Sequence, residues 1–218
     1  MRYNYETNDF ARLQFTDGRK PRIYSMVESH NGDILLGTAG YGLYSVKDRN
    51  TRKGTDHLFA IRQERQYAER DSDVFFTHIY EDKHHYLWQS SHLSIFTRFI
   101  KKQGKVQRKD FKSPCGAPVA FIQHRPQTML IACMYGIIYY DYRTGRIADA
   151  GYDFGGYQNN VTINNATFDH EGNLYISTSE HGVLIIRKGS NRVEQLENSN
   201  SSFNLATAFV NEIIEDKD

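Results

Sequence analysis

The chain has 218 residues, enough for one or two ordinary domains and a sizeable core. Twenty-seven Lys and Arg against 26 Asp and Glu leave a formal charge of +1, so no global field draws this region to nucleic acid or to an anionic membrane. No apolar run approaches the ~20 residues of a membrane span, no low-complexity tract marks a disordered linker, and the N-terminal "MRYNYETNDF" lacks the apolar centre of a signal peptide.

Taken in chain order, the predicted elements are short strands. Residues 1–22 include "RYNYETNDFARLQF", which aligns with "IYYDYRTGRIADAGY" at 138–152 and reads as the end of a unit. The unit 23–73 opens with "IYSMVES", turns at "NGD" (31–33) and continues through "DILLGT", a hairpin at Gly40–Gly42, "GLYSVK" and the more polar "HLFAIRQ". Its tail "FAIRQERQYAER" (59–70) is the only helix-compatible stretch, and reads as an extended outer strand or a small insertion. The unit 74–117 repeats the order with "VFFTHIYED", "YLWQSS" and "KVQRKDF". The unit 118–160 follows with "PVAFIQHRP", "MLIACM", "GIIYYDYRTG" and "GRIADAGY". The unit 161–204 has "VTINNATFDH", the turn "EGN" (171–173), "LYISTS", "GVLIIRKGS" and "RVEQLE". Residues 205–218, "LATAFVNEIIEDKD", read as the first strand of a further unit.

The starts at Ile23, Val74, Pro118, Val161 and Leu205 lie 51, 44, 43 and 44 residues apart. That period, with four hairpin-linked antiparallel strands per unit, predicts an all-β chain of β-propeller blades. The expectation is about four full blades plus partial blades at both ends, cut from a larger propeller. A complete, circularly offset propeller is the alternative, but its shared blade would lack a second strand. Unpaired edges left that way promote self-association.

The chemistry-bearing residues are sparse. His78, His84, His85 and His92 fall in one unit, yet His84 and His85 are neighbours on a turn and point apart, so no metal site is expected from them. Cys115 sits in a loop and Cys133 in a strand, which reads as two free thiols, with a bond between them the alternative. No nucleophile elbow occurs, and "GTAGYG" is followed by no helix that would complete a phosphate cradle. No catalytic residue and no cofactor are therefore expected. Trp88 and Tyr175 occupy second-strand core positions, whereas Tyr41 and Tyr135 fall in the loop after that strand. "GGYQNN" (155–160) precedes a first strand and so lies on one rim, where Tyr157, Gln158, Asn159 and Asn160 offer an aromatic face and amides. "AERDSD" (68–73) and "KSPCGA" (112–117) occupy the corresponding rim positions. Tyr41, Tyr135 and Tyr157 to Asn160 are the candidate ligand contacts.

"NGDILLGTAGYGLYSVKD" and "HEGNLYISTSEHGVLIIRKG" resemble the two-component regulator propeller repeat; "YEDKHHYLWQSS" keeps its Asp and Leu-Trp, and "HRPQTMLIACMYGIIYYDYRTG" its hydrophobic frame and Gly. The resemblance implies a piece of the extracytoplasmic sensor region of a hybrid two-component histidine kinase of the Bacteroides type. It further implies a periplasmic location, an oligosaccharide ligand from glycan breakdown and a homodimeric parent. No kinase or receiver motif appears in the chain, so enzymatic output would belong to other domains. A protein-interaction scaffold is the second reading. A propeller lyase or glycosidase would require paired carboxylates on the first strands, and "IYSMVES", "VFFTHIY" and "VTINNAT" supply almost none.

Overall fold

A computed structural model describes residues 2–4, 8–11, 13–46, 59–67, 75–91, 93–196 and 209–216. The predicted starts at Val74 and Leu205, the segment "AERDSD" and His92 lie outside them. Two compact units are present: Met1–His92 with Thr97–Asp110, and Leu93–Phe96 with Phe111–Asp218.

The chain is all-β, built of four antiparallel four-stranded blades. Strands β1 (Arg2–Asn4) and β2 (Asp9–Ala11) form an antiparallel pair, and β3 (Leu13–Phe15) follows. The first blade comprises β4 (Arg22–Glu28), β5 (Ile34–Ala39), β6 (Leu43–Val46) and β7 (Phe59–Gln63). Here β3 adds a fifth strand, parallel to β7, pairing Phe15 with Ile61. Of the stretch at 59–70, Phe59–Gln63 form the outer strand β7 and Arg65–Tyr67 a 3-10 turn, and 68–70 lie outside the described residues. The second blade is β8 (His78–Glu81), β9 (Leu87–Ser90), β10 (Ile95–Lys102) and β11 (Lys105–Lys112). The third is β12 (Pro118–Arg125), β13 (Thr128–Cys133), β14 (Gly136–Asp141) and β15 (Arg146–Asp149). The fourth is β16 (Ile163–Phe168), β17 (Leu174–Thr178), β18 (Val183–Ile186) and β19 (Val193–Gln195). In each blade the strands lie in sequence order, so every connection is a hairpin. No α-helix occurs among the described residues.

Burial follows the position of a strand within its blade. Middle strands are covered on both faces and read as continuous apolar runs, as in β18, where all four residues are buried. Outer strands alternate and carry charge: β11, "KVQRKDFK", sits at a blade edge, where its lysines discourage pairing with another chain. In the first unit Leu43, Phe76, Ile79, Leu87 and Phe99 form one apolar cluster, and Leu36, Tyr44, Val46 and Ile61 another. In the second unit Leu130, Ala132 and Ile137 of the third blade pack with Ile163, Ile176 and Leu184 of the fourth.

The turns after the first strands share one backbone frame in three blades. Ser29 N donates to Asp33 O (2.8 Å) and Gly32 N to Ser29 O (2.8 Å). The same pair of bonds recurs from Asp82 N to Tyr86 O (3.0 Å) with His85 N to Asp82 O (2.8 Å), and from Asp169 N to Asn173 O (3.0 Å) with Gly172 N to Asp169 O (3.1 Å). The fourth residue is left-handed each time, with φ of +80° at Gly32, +59° at His85 and +91° at Gly172. Glycine is the expected residue there, so His85 departs from the pattern. The third blade instead turns in two residues, between the paired Arg125 and Thr128.

Cys115 and Cys133 are free thiols. Residues 209–216 form no strand, but they run along the fourth blade: Val210 N donates to Thr178 O (3.0 Å), and Asn164 Nδ2 to Val210 O (2.8 Å).

Candidate functional site

The loops before the first strands and after the second strands meet at one end of the blades in the second unit. Tyr135 stands at the tip of the β13–β14 hairpin, whose neighbours hold it from both sides. Tyr135 N donates to Cys115 O (3.0 Å), Met134 N to Ala117 O (3.0 Å), and Ile163 N to Met134 O (2.8 Å). Gly116 lies flat beneath the Tyr135 ring: a Cβ there would come within 2.9 Å of Tyr135 Cδ2, and φ is +90°. The "KSPCGA" segment is thus the support of Tyr135. Over half of Tyr135 is exposed, so its ring face is open to a ligand.

The "GGYQNN" segment is a 3-10 turn at Gly155–Tyr157 rather than a loose loop. Gly155 takes φ +50°, its N–H is held by Asp153 Oδ1 (2.9 Å), and Asn160 N closes on Tyr157 O (3.2 Å). Tyr157 does not face the hollow. It is half-buried and its ring meets the His181 ring edge-on, with centroids 5.0 Å apart. His181 Nε2 in turn lies 3.1 Å from Asn160 O, so the Tyr157–His181 contact fixes the amide-bearing turn.

Between Tyr135 and this turn lies an open hollow of about 350 Å³, lined by Tyr135, Gln158, Asn159, Asn160, Val161, Thr162 and Glu180. Four of the six candidate ligand contacts, Tyr135, Gln158, Asn159 and Asn160, therefore come together. Tyr157 supports them from behind. Tyr41 belongs to the first unit and does not line the hollow; its ring lies 5.3 Å from the Arg19 guanidinium carbon. Glu180, an exposed carboxylate of the β17–β18 turn, accepts from Thr162 N through Oε2 (2.9 Å) and supplies the one charge among the described lining residues. The signal for His181 was present: Tyr41, Tyr135 and His181 each precede the glycine that closes the second hairpin of their blade.

Below Tyr135, the Cys115 thiol is drawn down to about 7, chiefly by its hydrogen bond with Cys133, whose own thiol is pushed up by that bond and by burial. Ser113 Oγ donates to Cys133 Sγ (3.2 Å). A second, larger groove of about 800 Å³ in the same unit is lined by Arg125, Tyr139, Tyr152, Phe168 and Lys188 among others. Its aromatics pack on the apolar core and present less free ring face than Tyr135 does.

His78, His84 and His85 take different partners: His78 Nδ1 lies 3.3 Å from Ser90 Oγ, the His84 ring sits by Tyr86, and His85 turns toward His30. Trp88 is fully buried, as its core assignment requires, whereas Tyr175 is only half-buried.

No protein-family model matches this chain, and no curated protein matches it in sequence. Among solved structures it is similar to the extracellular domain of the hybrid two-component system BT3049 from B. thetaiotaomicron (TM-score 0.72, 16% identity, 98% of this chain and 27% of that one). It is similar also to the extracellular domain of BT4673 from the same organism (TM-score 0.64, 15% identity, 90% and 24%). Virginiamycin B lyase from Staphylococcus aureus shares the fold at a TM-score of 0.57 and 12% identity, over 82% of this chain and 56% of that one. The chain spans about a quarter of the length of the two sensor domains. At such identities the likeness establishes the propeller fold, in agreement with the resemblance carried by "NGDILLGT" and "EGNLYIST".

Proposed function

We propose that these blades are part of the extracytoplasmic ligand-sensing propeller of a hybrid two-component sensor, and that the ligand is a glycan-derived oligosaccharide. The observation that carries this reading is the hollow at Tyr135. An open aromatic ring suits the C–H face of a sugar, while Gln158, Asn159, Asn160 and the Glu180 carboxylate suit its hydroxyls. The likeness to two extracellular sensor domains supports the reading and favours a periplasmic placement. In the homodimeric parent, binding would bias one arrangement of rigid propellers over another and so pass a population shift across the membrane. Kinase chemistry belongs to other domains.

The test is calorimetric titration of the chain with a panel of oligosaccharides. A binder is expected, and Tyr135→Ala should weaken it at least about tenfold, roughly 1.4 kcal/mol. Absence of any binder, or equal affinity in Tyr135→Ala, contradicts the proposal. A protein-interaction scaffold is the second reading. It is favoured by β4, where Ile23, Tyr24 and Met26 are all exposed.

A further inference from the structure

Glu81, His30 and His85 converge in the first unit, at the opposite strand end from the second-hairpin tips. His30 lies on the turn between β4 and β5, Glu81 ends β8, and His85 holds the left-handed position of the following turn. The Glu81 side chain is 8% exposed beneath two half-exposed imidazoles. His30 Nδ1 contacts Glu81 Oε1 directly, and His85 Nδ1 lies 3.4 Å from the same oxygen. The two rings are 3.9 Å apart at centroids, tilted by 30°. All three potential ligand atoms fall within 4.8 Å of one another.

We propose that His30, Glu81 and His85 bind a divalent transition-metal cation of the zinc type, joining the turns of the first and second blades. Two imidazoles and one carboxylate are a known tetrahedral ligand set, with the fourth position left to water. Ligand–metal lengths of about 2.0–2.2 Å require ligand atoms a few ångströms apart, as these are. Nitrogen ligands also disfavour Ca²⁺ and Mg²⁺, which take oxygen. The sequence conceals the site because the converging histidines are 55 positions apart, one in each blade.

A hydrogen-bonded His–Glu pair alone does not explain this arrangement. The second unit has such a pair, His170 with Glu215, also linking the turn of one blade to the next segment. Among the described residues that pair has no third ligand grouped with it, and the left-handed position of its turn is Gly172. What distinguishes the first site is His85, a side chain placed where the matching turns have Gly32 and Gly172. A non-glycine residue in that conformation costs backbone energy and points to a use for the side chain.

The test compares the whole chain, stripped with EDTA, with His85→Gly, Glu81→Gln and His170→Ala, by calorimetric titration with ZnCl₂ and by thermal unfolding. The expected result is one high-affinity Zn²⁺ in the unaltered chain and in His170→Ala. In both, Tm should rise by roughly 5–10 °C at a hundredfold excess over Kd. Glu81→Gln and His85→Gly should bind at least tenfold more weakly, and MgCl₂ should shift nothing. His85→Gly installs the residue the matching turns already use, so its loss of binding is not a loss of fold. No shift with Zn²⁺ in the unaltered chain overturns the proposal, as does equal binding by His85→Gly, which would locate the ion elsewhere.

Discussion

The turns at Asp82–Tyr86 and Asp169–Asn173 close their hairpins with the same two backbone hydrogen bonds, yet satisfy the leading aspartate differently. Asp82 is buried; its Oδ1 accepts from His84 N (2.8 Å) and Tyr86 N (3.0 Å), and its Oδ2 from the indole of Trp88 (2.7 Å). Asp169 accepts chiefly from Asn173, through N (2.7 Å) and Nδ2 (2.8 Å), with further bonds from Gly172 N and the Tyr175 hydroxyl. Burial pushes the Asp169 carboxyl up, and these bonds, with those of its neighbours, hold it below the usual carboxylate range. Asn173 Oδ1 then accepts from Lys188 N (3.0 Å), tying the turn to the end of β18. A repeat can therefore keep its backbone frame while adding a side-chain contact within the turn and letting the aromatic on the next strand leave the core. Tyr175, six residues beyond Asp169 as Trp88 is beyond Asp82, is released from full burial.

The largest test of that contrast is at the aromatics. Trp88→Ala should cost about 3–5 kcal/mol, since it empties a filled core position and strips a buried carboxylate of a donor. Tyr175→Ala should cost about 1–2 kcal/mol, because the side chain is already partly in water. Urea unfolding measures both, and equal losses would break the comparison. Asn173→Ala comes next, at about 1–2 kcal/mol, because its side-chain hydrogen bonds to Asp169 and from Lys188 N disappear together.

Exchanging the left-handed residues gives a smaller effect of opposite sign in the two turns. His85→Gly in metal-free protein should leave stability unchanged or raise it by up to about 1 kcal/mol, with strain relief set against a freer unfolded chain. Gly172→His should lose a similar amount: a Cβ there meets Lys188 Cδ at an ordinary 3.5 Å, so the backbone and not crowding sets the loss. A large loss in His85→Gly would show that the Asp82 turn depends on His85 for its fold.

The smallest effect is a pH window at His170 and Glu215. The hydrogen bond and charge of Glu215 raise His170 above 6.5, so its contribution to stability is complete below that value and fades as pH rises through the folded one. The hydrogen bond from His170 lowers Glu215 below 4.5, so its contribution is present above 4.5 and fades as pH falls through the folded value. The pair is strongest between about 4.5 and 6.5. An NMR titration of the imidazole should show His170 above its ordinary value, returning toward it in Glu215→Gln.

The blades were legible in the sequence because the turn glycines and the apolar second strands recur at a near-constant step. "DILLGT", "MLIACM" and "LYISTS" became β5, β13 and β17 at the positions their composition suggested. The hollow was legible in part. Tyr135 and the amides of 158–160 sit in loops whose place in a blade follows from the repeat. Which way Tyr157 points depends on His181, a contact made between the loop and a hairpin tip and not encoded by either alone. Glu180 was hidden because a turn carboxylate is usually solvated, and nothing local marks one that caps Thr162 N. The convergence of His30 on His85 was hidden for the same reason: strand pairing places both turns at one end, and no spacing rule within one unit records it.

The most direct test of the sensing account is hydrogen exchange on the chain with and without a bound oligosaccharide. Slowed exchange confined to the Tyr135 hairpin and residues 155–162, with the Asp82–Tyr86 turn unaffected, is the predicted result. Unchanged exchange around Tyr135, or protection appearing only along β4, would contradict it and assign the binding surface elsewhere.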